Sequence, residues 1–87
     1  MRYKLYATTE DYEDKLIFED DDLIKVAHKM LSCNEYSEYS LEYHSEMINE
    51  VEYLYYPATH TVVNVTYTGV IPMHEDAFIA HLENIQV

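Results

Sequence analysis

All five lysine and arginine residues of this chain lie within its first 29 positions, where they face eight acidic residues. From residue 30 to residue 87 there are nine acidic residues and no Lys or Arg. Two thirds of the chain therefore cannot form an internal Lys or Arg salt bridge within itself. Self-repulsion of this kind lowers the stability of a compact state, so such an excess of like charge needs a reason. Solubility alone rarely requires so much charge, and the excess indicates a function for the acids.

The chain is nevertheless expected to fold as one domain spanning residues 1–87. Leu, Ile, Val and Phe make up 22 of the 87 residues, which is above the level of roughly 20% that accompanies disorder in highly charged chains. This length supports a single small core. The one cysteine, Cys33, cannot form an internal disulfide, so the sequence predicts a reducing compartment and a small buried hydrophobe at this position.

The first third of the chain predicts two strands and a helix. Residues 2–8 alternate between apolar and polar, which is typical of a half-buried strand. Residues 10–14 form an acidic turn, and residues 15–19 return as an antiparallel strand. Asp20–Asp22 favour a helix N-terminus, where carboxylates accept free backbone N–H groups. Asn34 is the expected end of this helix. Its apolar stripe is expected to comprise Leu23, Ile24, Ala27, Met30 and Leu31.

Residues 35–50 fit two interpretations. As a strand, the segment places Tyr39, Leu41 and Tyr43 on one face and acidic or polar residues on the other. As a helix, it stacks four glutamates at i, i+4 spacing, and the repulsion costs about 0.3 kcal/mol per pair. We favour the strand, because Tyr and Ser dominate the segment and the like charges oppose the helix. The four glutamates are Glu38, Glu42, Glu46 and Glu50.

The last third predicts a hairpin and a closing helix. Residues 51–56 and 61–68 are rich in Val, Thr and Tyr and flank the turn 57–60. Gly69 and Pro72 are expected to end the second strand, and residues 74–83 form a short helix. The predicted fold class is α+β, a small antiparallel sheet with two helices in the order ββα-ββ(β)-α.

The sequence contains no pattern typical of a catalytic, metal or cofactor site. Gly69 is the single glycine, whereas phosphate-binding loops need several. His74 and His81 are two helical turns apart, too far to share one metal ion. The acidic clusters lack the ligand register of a calcium loop. We therefore expect no enzyme, metal or cofactor, and a small enzyme or metal-binding protein is the disfavoured class of function.

We also expect no membrane association. The N-terminus never develops the apolar run of a signal peptide. Residues 53–74 lack Asp, Glu, Lys and Arg, but they contain two prolines, a glycine and two histidines. These residues fit a hairpin better than a membrane span. The expected location is the cytoplasm.

The net charge of −12 is the remaining functional signal. A DNA duplex carries one negative charge per about 1.7 Å of axis, so this charge equals that of about six base pairs. A surface of such charge density fits the basic groove of a DNA-binding protein, and the ten tyrosines could add interface contacts. The residues expected to bind this partner are Asp11, Glu13, Asp14, Asp20, Asp21, Asp22, Glu35, Glu38, Glu42, Glu46, Glu50 and Glu52.

In size, composition and the placement of its acids at 10–14, 20–22 and 35–52, the chain resembles the small acidic DNA-mimic proteins of bacteriophages. The resemblance implies an inhibitor that acts in the bacterial host cytoplasm and does not itself bind nucleic acid. It implies a host nucleic-acid-binding target, with the histone-like nucleoid protein HU as the first candidate, since a sequence-tolerant site needs only charge and shape.

Two questions stay open at this point. One alternative is an acidic adaptor or anti-defence protein, such as an anti-CRISPR or anti-restriction protein, that binds a basic partner outside its DNA site. The other question concerns self-association. Ten tyrosines exceed what a small core holds, so an aromatic patch could be covered in a homodimer, whereas repulsion between two acidic chains opposes it.

Overall fold

The computed structural model describes residues 3–43, 51–66 and 69–85 of the chain. In these ranges, six strands form one antiparallel sheet in the order β2-β1-β3-β4-β5-β6 and two helices pack against it. The elements in chain order are β1 (Tyr3–Thr8), β2 (Asp14–Asp20), α1 (Leu23–Leu31), β3 (Tyr39–Tyr43), β4 (Val51–Tyr56), β5 (Thr61–Thr66), β6 (Gly69–His74) and α2 (Glu75–Ile85). The predicted α+β class is confirmed.

Strands β1 and β2 form the expected antiparallel hairpin. The turn closes through a 2.9 Å hydrogen bond from the backbone N–H of Thr9 to the carbonyl of Glu13, and Tyr12 adopts a left-handed φ of 60°. Leu5 pairs with Phe18 and Tyr6 with Leu16, so Ile17 is an extra residue in β2. Such a bulge keeps Phe18 on the same face as Leu5 although the period of two is broken.

Helix α1 begins where the acidic triplet predicts. Asp22 is the N-cap, and its carboxylate accepts the backbone N–H of Ile24 at 3.0 Å. The helix ends at Leu31, with Ser32 as the C-cap, three residues before the expected end at Asn34. Its buried residues are Leu23, Val26, Ala27 and Met30.

The strand interpretation of residues 35–50 is confirmed for 39–43. Tyr39 is 1% exposed and Leu41 is fully buried, whereas Glu42 between Leu41 and Tyr43 is exposed. Residues 35–38 lie in the loop before β3 and are not part of a strand, and residues 44–50 lie outside the described residues. The hairpin of β4 and β5 is also confirmed for residues 51–56 and 61–66, whereas residues 67–68 of the predicted second strand lie outside the described residues. It has a short 3₁₀ turn over Pro57–Thr59 and a left-handed φ of 53° at His60.

The expectation that Gly69 and Pro72 end the strand region is wrong, because Gly69–His74 form the edge strand β6. The N–H of Glu75 donates to the carbonyl of His60 at 3.1 Å. Hydrogen-bonded pairs alternate along an antiparallel ladder, so the backbone nitrogen of Pro72 lies on the outer side of β6. Proline costs no ladder bond there. The order of elements is therefore ββα-ββββ-α, with one strand more than predicted.

The core lies on one face of the sheet, beneath both helices. Alternate residues of β1, β3, β4 and β5 point to it, and α1 and α2 cover them. Tyr53 packs edge-on against Phe78, with 5.0 Å between ring centroids, and its hydroxyl lies 3.0 Å from Nε2 of His81. The buried apolar side chains that the strands contribute to this core are Leu5, Ala7, Tyr39, Leu41, Tyr53, Tyr55 and Val62. Among the residues that the structure describes, neither helix is long and apolar enough to cross a membrane.

Candidate partner-binding surface

The opposite face of the sheet, here called the uncovered face, has no described helix packed on it. The register brings its side chains into three rows that run across the strands. The central row is Leu16, Tyr6, Ser40, Leu54, Val63 and Pro72. The row is mainly apolar, and Leu16 is 47% exposed at its β2 end. Oγ of Ser40 is buried and has no hydrogen-bond partner within the described ranges.

A first acidic row, here called the Glu42 row, lies on one side of the central row. It consists of Glu19, Lys4, Glu42, Glu52, Val65 and Val70. Glu42 and Glu52 are directly opposite each other on β3 and β4. Lys4 stands between Glu19 and Glu42, and it is the one Lys or Arg on this face among the described residues. Three carboxylates around one ammonium leave the row with negative net charge.

A second acidic row, here called the Glu38 row, lies on the other side. It consists of Asp14, Thr8, Glu38, Tyr56, Thr61 and His74. The backbone carbonyl of Glu38 accepts the N–H of Thr8 at 3.0 Å, which extends the β1–β3 ladder by one residue. Its side chain accepts the Tyr56 hydroxyl at 2.8 Å. This hydrogen bond to a carboxylate raises the pKa of Tyr56.

The charge of the uncovered face is concentrated on one half. All five carboxylates of the two acidic rows belong to β2, β4 or the β3 region, whereas β5 and β6 contain no Asp or Glu. On the β5 and β6 half, the central row presents Val63 and Pro72, the Glu42 row presents Val65 and Val70, and the Glu38 row ends in Thr61 and His74. The face is therefore acidic at one side and mainly apolar at the other.

The structure brings together some of the acids that the sequence proposed and separates others. Asp14, Glu38, Glu42 and Glu52 share the uncovered face, and Glu19, which was not proposed, joins them. Asp11 and Glu13 lie in the β1–β2 turn at one end of the sheet. Glu35 lies in the loop after α1, and Glu46 and Glu50 lie outside the described residues.

The acidic triplet before α1 has a structural role at the opposite end of the sheet. Asp22 caps the helix, and Oδ1 of Asp20 accepts the N–H of Asp22 at 2.9 Å. Asp20 also forms an ion pair with Lys25 at 3.7 Å. Asp20 and Asp22 are thus engaged by backbone N–H groups or by a lysine, so they offer less to a partner than the sequence suggested.

Sequence reasoning missed the apolar half of the uncovered face, although the sequence carried a signal for it. In β5, Val62, Val63 and Val65 occupy both faces of the strand, whereas a half-buried strand alternates. Apolar residues on both faces indicate a strand whose second face also makes contacts.

A second polar cluster lies where β6 meets α2. Oε2 of Glu75 accepts the Tyr55 hydroxyl at 3.0 Å and lies 3.3 Å from Nδ1 of His60. Burial, and then the hydrogen bond to Glu75, raise the pKa of Tyr55 to about 12. The hydrogen bond from Tyr55 lowers the pKa of Glu75. The backbone N–H of Asp76 donates to Nδ1 of His74 at 3.2 Å, so that histidine caps the start of α2. These contacts fasten α2 to the sheet.

The surroundings of Cys33 do not activate its thiol. The thiol donates to the carbonyl of Lys29 at 3.1 Å, and burial raises its pKa. It is half-buried rather than fully buried, beside a cleft of about 320 Å³ that Lys15, Lys29 and Tyr36 help to line. No group of three His, Cys, Asp or Glu side chains within the described ranges could hold a metal ion.

The chain matches no protein-family model, no curated protein and no solved structure.

Proposed function

We propose that this chain is a non-enzymatic acidic DNA mimic that occupies the DNA-binding site of a basic host protein. The observation that carries the proposal is the pair of acidic rows on the uncovered face. Asp14 and Glu38 lie on one side of the central row, and Glu19, Glu42 and Glu52 lie on the other. Carboxylates in this arrangement can meet the Lys and Arg side chains that otherwise contact phosphates.

The spacing of the rows supports this proposal. Glu38 and Glu42 are four residues apart along one extended segment, which corresponds to about 13 Å at about 3.3 Å per residue. The major groove of B-DNA is about 12 Å wide, with phosphates along both rims. Two lines of negative charge at a similar separation, with the central row between them, offer a basic protein a comparable pattern.

The charge of the whole chain adds long-range attraction. A net charge of −12 raises the association rate with a basic partner and repels DNA itself. The chain is therefore proposed not to bind nucleic acid directly. By its resemblance to phage DNA mimics, the first candidate target is HU, and the proposed site of action is the cytoplasm of a bacterial host.

A competition measurement tests the proposal. Purified HU is bound to a short fluorescent DNA duplex, and the chain is added while fluorescence anisotropy is followed. We expect the anisotropy to fall to that of free DNA at low salt, and the affinity of the chain for HU, measured without DNA, to fall between about 0.05 and 0.3 M salt, because screening weakens the attraction. The chain mixed with the duplex alone is the control and is expected to leave the anisotropy unchanged.

The same measurement on basic proteins captured from a nuclease-treated bacterial lysate extends the test beyond HU. A captured protein that keeps its DNA while bound to the chain would contradict DNA mimicry. That result would favour the second candidate, an acidic adaptor or anti-defence protein, for which the apolar half of the uncovered face is the supporting observation.

A further inference from the structure

The apolar half of the uncovered face has no counterpart in DNA. It consists of Val63 and Val65 of β5 and Val70 and Pro72 of β6, here called the valine patch. Val70 is 63% exposed and Pro72 is also exposed. We infer that the valine patch is an apolar contact site for the basic partner, which presents an apolar protrusion beside its DNA-binding groove. This inference rests on the proposed function and names the second half of the same contact.

The size of the patch argues against a second copy of the chain as its occupant. The valine patch spans two neighbouring strands and about three residues along each strand, which is an area on the order of 10 Å by 10 Å. A stable interface needs about 800 Å² from each partner. A dimer would have to bury most of the uncovered face, which would bring the Glu42 row and the Glu38 row of both copies together. Like charges placed opposite one another oppose that assembly.

A basic partner avoids the repulsion that opposes a dimer. The valine patch borders the acidic half directly, since Val65 is the cross-strand neighbour of Glu52. A partner that covers both halves pairs its cations with the acidic rows and buries an apolar side chain against the valines. Burial of apolar surface is not screened by salt, whereas the ionic contacts are. The two halves therefore differ in their response to salt, and this difference can be measured.

The test compares substitutions on opposite faces of the same edge of the sheet. The double variant Val63→Thr, Val70→Thr keeps two β-branched side chains but makes the patch polar. The matched control is Ile71→Thr, because Ile71 is 56% exposed on the other face of β6. Val70→Thr alone serves as a second variant if the double variant does not fold. Each protein is immobilised, exposed to nuclease-treated bacterial lysate and eluted at increasing salt.

We expect a basic DNA-binding protein to elute from wild type and from Ile71→Thr at the same salt concentration, and from the double variant at a lower one, with a dissociation constant about tenfold higher at equal salt. Equal elution from all three proteins, or no basic protein captured, overturns the inference. A wild-type dimer in sedimentation that the double variant dissociates also overturns it, because the patch is then a self-interface.

A DNA duplex added to the captured complex at low salt separates this inference from the proposed function. If the duplex elutes the partner but the patch variants behave like wild type, the valine patch is not a contact site and DNA mimicry stands. If the duplex does not elute the partner while the double variant still loses it, DNA mimicry fails and the patch remains a contact site.

Discussion

The hydroxyl of Tyr56 on β4 donates a 2.8 Å hydrogen bond to Oε1 of Glu38, the residue immediately before β3. The bond holds one carboxylate of the Glu38 row at a defined position on the uncovered face. A carboxylate held in place loses less conformational entropy when it meets a cation than one on a free side chain does. Glu38 is therefore a suitable member of a set of substitutions that tests the acidic rows.

The first prediction concerns these rows. We expect Glu38→Gln, Glu42→Gln and Glu52→Gln together to weaken partner binding by about tenfold or more, because each exposed ion pair contributes up to about 1 kcal/mol. The control triple, Glu10→Gln, Asp11→Asn and Glu13→Gln, makes the same change in charge in the β1–β2 turn. For each triple variant, the measurement is the concentration that displaces DNA from the partner. Equal weakening would mean that net charge alone decides binding and that no mimicking face exists.

The second prediction concerns the start of α1. Asp22→Ala removes the carboxylate that accepts the N–H groups of Ile24 and Lys25. We expect a loss of about 1 kcal/mol in the free energy of unfolding, which lowers Tm by about 4–8 °C in a domain of this size. Asp11→Ala has the same charge change without a cap and is the control in the thermal unfolding measurement. Indistinguishable melting of the two variants would contradict the capping role.

The third prediction concerns alkaline pH. Folding raises the pKa of Tyr55 to about 12, from about 10 in the unfolded chain. The folded state therefore holds the hydroxyl proton more tightly, so this contribution to stability is complete below about pH 10 and is lost as pH rises towards 12. We expect the free energy of unfolding of Tyr55→Phe to fall less than that of wild type across this window. Urea unfolding at several pH values measures it, with Tyr12→Phe as the exposed control.

The fourth prediction concerns acid pH. The pKa of Glu75 is lowered by the hydrogen bond from Tyr55 and by His60. Stability from a lowered carboxyl pKa is present above the ordinary value and is lost as pH falls through the folded value. We expect Glu75→Gln to be less stable than wild type at neutral pH and nearly equal to it at about pH 3. Glu83→Gln on the same helix is the control, and a constant difference between Glu75→Gln and wild type at both pH values would refute this account.

Local patterns predicted much of the fold. The alternation around Leu5, the acidic triplet that contains Asp22 and the Val-rich and Tyr-rich segments around Pro57 each act over a few residues, and the structure contains the corresponding strand, cap and hairpin. The like-charge argument on residues 35–50 also chose correctly between strand and helix for β3.

The parts that escaped prediction depend on pairing between distant segments. Strand β6 was missed because Pro72 normally ends a strand, and only its position at the edge of the sheet makes it acceptable. The rows of the uncovered face require the β1–β3 pairing, which joins Tyr6 to Ser40 across a hairpin strand and a helix. The bulge at Ile17 shifts the period by one, so Glu19 could not be assigned to that face from alternation alone.

The proline in β6 also affects whether the edge of the sheet can add further strands. Edge strands with adjacent apolar residues, such as Val70 and Ile71, are templates for strand addition and for growth into fibres. At the centre of this edge, Pro72 offers no N–H to an incoming strand. Edge-to-edge growth is thereby interrupted. This edge of the sheet therefore does not template polymerisation, even where the protein is concentrated.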